Sequence, residues 1–401
     1  MMRLFYFLLL LILPFAGFAV ATDTVITSPG QGLRISILTC GAGEELYASF
    51  GHTGVRVRDD RSGRDEVYNY GTFNFSDPDF YSSFVLGKLQ YYLERSSFRD
   101  FMYTYQVEKR SVKEQELNLD STQQQQLLQY LETNLLPENR YYAYDFLFDN
   151  CATRVRDIFP AVLGPEFYFG TILGNKPLSY RAIINQYLAA KHWERLGINL
   201  LLGSKVDSVM TDDGSMFLPA FVHKGLEHAQ FRKTHLVSQE RVLLASERVE
   251  QSRLNGPMWL MLGILILTVL AYLVRSFSYL KVAVRFVLLF VTGLLGCLML
   301  FMWLGTAHQS CSNNYNILWA IPFNLPLAFL VGKKRGWLRT YALAGISLII
   351  VSLIIHLIGI QTMPLIELSP LLICLMYVYM DLYKNNPPAV VPVSSTEEAT
   401  S

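Results

Sequence analysis

The chain has 401 residues, of which 51% are hydrophobic and 17% charged, with a formal net charge of +1. That is too apolar for an ordinary soluble protein, and the near-neutral balance, with no lysine-rich run, gives no reason to expect a nucleic-acid partner. The apolar excess lies at the two ends, which predicts a membrane protein carrying one globular domain.

Residues 1–21 open with Met1-Met2-Arg3, continue through an apolar run from Leu4 to Leu13 and leave through Ala19-Val20-Ala21. This is the pattern of a secretory signal peptide cut near Ala21, with an uncleaved anchor as the alternative. No Cys follows Ala21, which argues against lipidation of the chain itself.

Residues 22–255 read as one α+β domain, a small antiparallel sheet with helices packed on it. Strands are expected at 33–40, 55–57, 66–71, 90–93 and 112–119, separated by turns such as Asp59-Asp60-Arg61-Ser62-Gly63. Helices are expected at 78–86, at 97–105 and after Asp120, where Leu127, Leu128, Leu131 and Leu135 share one face. The stretch after residue 160 reads as a mostly helical extension that links this domain to the membrane.

Two short stretches carry chemistry. In Asp149-Asn150-Cys151-Ala152-Thr153-Arg154, Asn150 suits a helix N-cap and places Cys151 in the first turn, where the helix dipole favours thiolate. The helix should end near Phe159, before Pro160. In Phe50-Gly51-His52-Thr53-Gly54, a histidine stands at the mouth of a strand beside a glycine turn. A nucleophilic Cys and a proton-shuttling His are what thiol acyl transfer needs. Set against this, a lone Cys after an apolar strand is commonly a small core residue, and Cys40 and Cys151 could pair as a disulfide in an oxidising compartment. The five cysteines form no CxxC pair, and neither they nor the histidines suggest a metal site, so no metal or cofactor is expected.

From Pro257 to Lys384 the chain reads as a membrane domain of about five helices, with apolar runs at 258–274, 282–304, 317–331, 341–360 and 363–380. Each is near the roughly 20 residues that cross a bilayer. The third is short and holds Pro322 and Pro326. Arg275, Lys281, Arg285, Lys333, Lys334, Arg335 and Arg339 occupy one set of turnarounds, whereas residues 305–316 and Gln361-Thr362 carry no Lys or Arg. The positive-inside rule therefore puts the globular domain outside the cytoplasmic membrane, the side to which a signal peptide would send it. The uncharged loop 305–316, on that same side, offers His308 and Asn314 as candidate substrate-binding residues. The polar tail 385–401 is expected to be disordered and cytoplasmic.

Phe50-Gly51-His52-Thr53, Tyr68-Asn69-Tyr70-Gly71-Thr72-Phe73, Gly87-Lys88-Leu89, Pro137-Glu138-Asn139-Arg140, Tyr144-Asp145-Phe146, Asp149-Asn150-Cys151-Ala152-Thr153-Arg154 and Asn313-Asn314-Tyr315-Asn316 resemble the Bacteroidota lipoprotein N-acyltransferase family, known as Lnb. The resemblance implies a periplasmic domain similar to circularly permuted NlpC/P60 papain-like domains, in which His precedes Cys, followed by a polytopic helical membrane domain. It further implies that Cys151 takes an acyl chain from a phospholipid, aided by His52, and passes it to the amine of a diacylated lipoprotein. Asn69, on the strand where such permutants place the residue orienting their His, is nominated for that role; Arg154 and Asp157 are assigned to pinning the helix to the sheet rather than to touching substrate. Two other classes stay open: a membrane-anchored cysteine peptidase or amidase acting on cell-wall peptide, and a non-catalytic envelope binding module.

Overall fold

Alternating apolar residues in the first strand, β1 (Leu33–Cys40), set it at the centre of the globular domain, with its last six residues buried. The computed structural model describes residues 32–174, 177–245, 254–274, 278–330 and 332–386. The signal-peptide segment 1–21 and the tail from 387 to 401 lie outside them. Asn385 and Asn386, expected in the tail, are within the described chain; Asn386 accepts from the Arg335 N–H at 2.9 Å.

β1 pairs antiparallel with β2 (His52–Asp59), Cys40 lying opposite His52 and Leu33 opposite Asp59. β2 pairs with β3 (Arg64–Thr72), the chain passes through α1 (Phe80–Leu86), and β4 (Gln90–Ser97) returns against β3. After α2 (Phe98–Val107) come β5 (Val112–Leu117), α3 (Ser121–Leu135), β6 (Tyr141–Ala143) and α4 (Cys151–Leu163). The period-2 pattern sorts the sheet into two buried faces. Ile35, Ile37, Val55, Val57, Tyr68 and Tyr70 pack with Leu127 and Leu131 of α3 and Val155, Ile158 and Phe159 of α4. Leu38, Cys40 and Val67 pack on the other face with Phe101 and Tyr105 of α2.

Three local expectations are corrected. The second strand starts at His52 rather than Val55, because its first residues find partners on β1. α4 runs through Pro160 to Leu163. A proline removes one N–H bond without ending a helix whose apolar face is held in a core, as Phe159 and Leu163 are here. The extension does not stay helical. After α5 (Tyr180–Tyr187), α6 (His192–Leu201) and α7 (Pro219–Glu227), strand β7 (Val237–Leu244) returns to pair with β5. The sheet order is β7-β5-β1-β2-β3-β4-β6.

Among the described residues, four helices are long and apolar enough to cross a membrane: α8 (Gly256–Leu273), α9 (Ser278–Leu304), α10 (Gly336–Leu357) and α11 (Leu365–Asn385). The third expected helix, 317–331, is not one. It is broken into a 3-10 turn at Tyr315–Leu318 and a short helix at Asn324–Ala328, lying in a groove of α9. A Cβ on Gly296 would stand 1.9 Å from the Ala320 carbonyl oxygen, so only glycine admits the chain so close. Asn324, fully buried, is satisfied by Thr292 at 3.2 Å and the Tyr341 and Tyr379 hydroxyls at 2.7 and 2.9 Å. Irregular backbone is tolerated at such depth because it is buried in protein.

A polar clasp joins the two parts. Buried Arg181 forks onto Asp207 at 3.0 Å and the Gly203 carbonyl at 2.8 Å. Asp207 in turn accepts from the Thr362 hydroxyl at 2.6 Å. Arg195 pairs with Glu367 of α11 at 2.6 Å, and the Gly203 N–H donates to Ser310 at 2.9 Å.

Candidate active site

Asn150 caps α4 from its extended conformation. Its side-chain oxygen accepts the Ala152 and Thr153 N–H groups at 2.8 and 3.0 Å, and the Thr153 hydroxyl accepts the Asn150 N–H at 2.8 Å. The Asn150 amide also donates to the Phe217 carbonyl at 2.9 Å, which ties the helix start to the extension. Cys151 is thereby fixed as the first helical residue, half-buried.

The sheet reaches this thiol at β2. The backbone N–H of Thr53, the residue after His52, faces the Cys151 sulfur closely enough to favour its thiolate. His52 occupies the end of β2 because Gly51 turns the chain with φ 83°, where a Cβ would lie 2.6 Å from the Cys40 carbonyl oxygen. The loop before it is held by Lys191, whose ammonium donates to Ser49 at 2.6 Å and the Gly43 carbonyl at 3.1 Å.

Asn69, on the neighbouring strand, presents its side-chain oxygen to His52 Nε2 at 3.3 Å. Its amide nitrogen donates to Ser96 at 3.2 Å, which turns the oxygen toward the imidazole. An oxygen in this position favours the tautomer with the proton on Nε2, which leaves Nδ1 as the basic nitrogen.

Burial decides the charge states. It drives the Cys151 thiol up to about 11, against the lowering effect of the Thr53, Ala152 and Cys151 N–H groups and of Arg110. It drives His52 down to about 4, against the Asn69 hydrogen bond. The helix N-terminus acts on the sulfur as expected, but desolvation is the larger effect, so the resting pair is thiol and neutral imidazole. Cys40 is also a free thiol, buried and held at about 12, with a hydrogen bond from Tyr105 and close enough to Cys151 to feel its charge.

Sequence reading passed over Arg110. It is buried, donates to the Gly41 carbonyl at 2.9 Å, pairs with Glu108 at 2.7 Å and lies 4.7 Å over the Tyr105 ring, leaving Nη2 without a partner. Its charge bears on Cys40, His52 and Cys151 together. A cleft of about 260 Å³ opens alongside, lined in part by Thr39, Cys40, Phe50, Gly51, Lys113 and His223.

The other nominated residues lie elsewhere. Asn314 is wholly buried: its amide donates to the Leu200 and Leu201 carbonyls at 2.7 and 3.1 Å, and its oxygen accepts from Gln361 at 3.1 Å and the Asn316 N–H at 3.1 Å. With every polar atom used, it is a peg of the clasp and has nothing left to offer a substrate. His308 leans on α1, its Nε2 at 3.0 Å from the Phe84 carbonyl oxygen. Arg154 lies 4.2 Å over the Tyr142 ring of β6, the tie to the sheet expected of it, and also pairs with Asp149 in the turn before α4 at 2.5 Å. Asp157 does not reach the sheet: it pairs with its helix neighbour Arg156 at 2.7 Å.

Two family models match the chain: the Lnb N-terminal periplasmic domain over residues 26–186 and the Lnb transmembrane domain over residues 250–385. No curated protein and no solved structure matches it. His52, Asn69 and Cys151 fall inside the first matched segment, and the four membrane-length helices fall inside the second. With both of its domains matched in order, the chain belongs to the Lnb family, as a membrane protein with a periplasmic domain.

Proposed function

We propose that the chain is a lipoprotein N-acyltransferase that carries the acyl group on Cys151. The observation that carries this reading is that the helix beginning at Cys151 packs on β2, the strand that begins at a histidine held by Asn69. His52 Nδ1 takes the thiol proton as the sulfur attacks a phospholipid ester carbonyl, forming the C–S bond. The tetrahedral oxyanion collapses, the ester C–O bond breaks, and the lysophospholipid alkoxide leaves with the proton from His52. The lipoprotein amine then attacks the thioester and loses a proton to His52, and the thiolate departs and is reprotonated. Backbone N–H groups at the start of α4 and at Thr53 are the candidate oxyanion donors. At neutral pH His52 is unprotonated, and its contact with Asn69 supports the imidazolium that forms as it takes the thiol proton.

The clasp to the membrane helices supports a donor and an acceptor that are both anchored in the bilayer, which a cell-wall amidase would not need. The test is a trapped intermediate. Full-length protein in vesicles of labelled phospholipid, without acceptor, should carry label on Cys151 that hydroxylamine removes and a diacylated lipopeptide discharges. Label on another residue, or transfer with no adduct, would sink the assignment.

A further inference from the structure

One surface feature is used by neither the clasp nor the thiol. α1 and the turn before it expose Phe75, Tyr81, Phe84 and Val85, which are 62%, 76%, 52% and 46% exposed. Polar loops rarely cluster such residues, and contiguous exposed apolar groups mark a contact surface. Two hydrogen bonds fix the level at which they sit. The Ala307 N–H donates to the Leu86 carbonyl at 2.9 Å, and His308 meets the Phe84 carbonyl at 3.0 Å. Residues 305–308 follow directly on α9, so α1 is attached to the outer end of a membrane helix.

From this surface, aromatic rings continue inward. Phe84 stacks on Phe80 with centroids 6.2 Å apart, Phe80 stacks on Phe73 at 5.8 Å, Phe73 meets Tyr91 edge-on at 5.2 Å, and Tyr91 stacks on Tyr144 at 4.3 Å. Tyr144 is half-buried and near enough to Cys151 for the sulfur's charge to bear on its hydroxyl. Two residues before Phe73 in the chain, Gly71 approaches the thiol residue itself: an added Cβ would lie 3.5 Å from that of Cys151. The row thus begins in exposed aromatics at the membrane level and ends at the thiol.

We propose that this row is the route by which an acyl chain of an outer-leaflet phospholipid reaches Cys151, with Phe75, Tyr81, Phe84 and Val85 seated in the lipid surface. The proposal rests on the acyl-transfer reading for what happens at the sulfur, and for the path on the ring contacts and on the approach of Gly71 to Cys151. Aromatic side chains suit both ends of it, since they settle at bilayer interfaces and present flat apolar walls to a methylene chain. An acyl chain lying along Phe80, Phe73, Tyr91 and Tyr144 would keep its tail toward the bilayer while its ester stands at Cys151. The acceptor lipoprotein also carries long acyl chains, so the same chemistry could arrive from it; the route is assigned to the donor.

The experiment is photocrosslinking with full-length protein in phosphatidylethanolamine and phosphatidylglycerol vesicles. A phospholipid bearing a mid-chain diazirine is used in one arm and a diacylated lipopeptide bearing the same group in the other, with adducts mapped by mass spectrometry. Phospholipid adducts on Phe73, Phe80, Tyr91 or Tyr144 are expected in both the native protein and Cys151→Ala, because occupancy of the route does not need the reaction. Adducts confined to the membrane helices, or adducts on the row from the lipopeptide alone, would overturn the proposal. Tyr81→Ser with Phe84→Ser, at exposed positions, should slow acylation of Cys151 from vesicles about ten- to a hundredfold, with an unchanged melting temperature in detergent. An unaltered vesicle rate would overturn it as well. Row adducts without any acyl transfer would leave the route standing and remove the enzymatic reading instead.

Discussion

The side-chain oxygen of Asn69 stands 3.3 Å from His52 Nε2, and Ser96 holds the Asn69 amide in the orientation that makes this contact. A group so placed fixes the tautomer of the imidazole and supports its protonated form. Asn69→Ala should therefore lower turnover about 10–100-fold, the usual scale for a residue that orients a catalytic group. It should also move the acid limb of the rate below the native position, because His52 is already held at about 4 and loses the contact that raises it. Asn69→Asp should move the limb the other way, since a carboxylate favours imidazolium. Rate against pH for all three proteins checks this, and no shift between Ala and Asp would remove Asn69 from the role.

The neutral His52 gives the native profile a definite sign. The base form persists as pH falls through the ordinary histidine range and is lost only near the folded value of about 4. An acid limb near 6.5 would mean that the site is far more solvated than its burial implies.

Cys151→Ala and His52→Ala should each abolish acyl transfer without unfolding the protein. The double variant should lose little beyond either one, because groups acting as a unit are non-additive. Substantial residual transfer in Cys151→Ala would point to another nucleophile. Equal loss in Cys40→Ala, with a Cys40 to Cys151 disulfide found in active protein, would reverse the assignment.

Arg110 lowers both His52 and Cys151 through its charge. Arg110→Met should raise both, so that iodoacetamide alkylates Cys151 several-fold more slowly at fixed pH, since the thiolate fraction falls about tenfold per unit of rise. Arg110→Lys should recover part of the rate. Alkylation in the Met variant at the native rate would show that the guanidinium charge does not reach the sulfur.

Asn314 and Arg181 are predicted to be matters of stability. Arg181→Met strands the buried Asp207 carboxylate and should cost about 3–5 kcal/mol, the scale for breaking a buried ion pair. Asn314→Ala removes the side-chain partner of the Leu201 carbonyl, the Gln361 amide and the Asn316 N–H, a loss of about 2–4 kcal/mol. His308→Ala, at a partly exposed contact, should fall within about 1 kcal/mol. Denaturation in detergent compares the three; a destabilising His308 variant beside a silent Asn314 variant would contradict the clasp.

Several features follow from local sequence alone. Asn150 before Cys151 specifies a cap and the first helical turn whatever surrounds them, and Gly51 before His52 specifies the turn that starts a strand. The period of 33–40 selects a buried strand, and the apolar runs with their charge bias select a membrane domain, because chain geometry and solvent preference act over a few residues at a time. Tertiary structure decided the rest. The approach of Thr53 to Cys151 depends on how α4 packs on β2, to which no local pattern refers. The thiol's protonation went against the local signal because the helix N-terminus is one nearby dipole, whereas desolvation sums over everything packed around the sulfur. β7 became a strand because β5 offered it an open edge. The third crossing stayed broken because a glycine face of α9 could bury its exposed backbone. Asn314, polar in an uncharged loop, became a structural peg because the carbonyls ending α6 arrive there from a distant part of the chain.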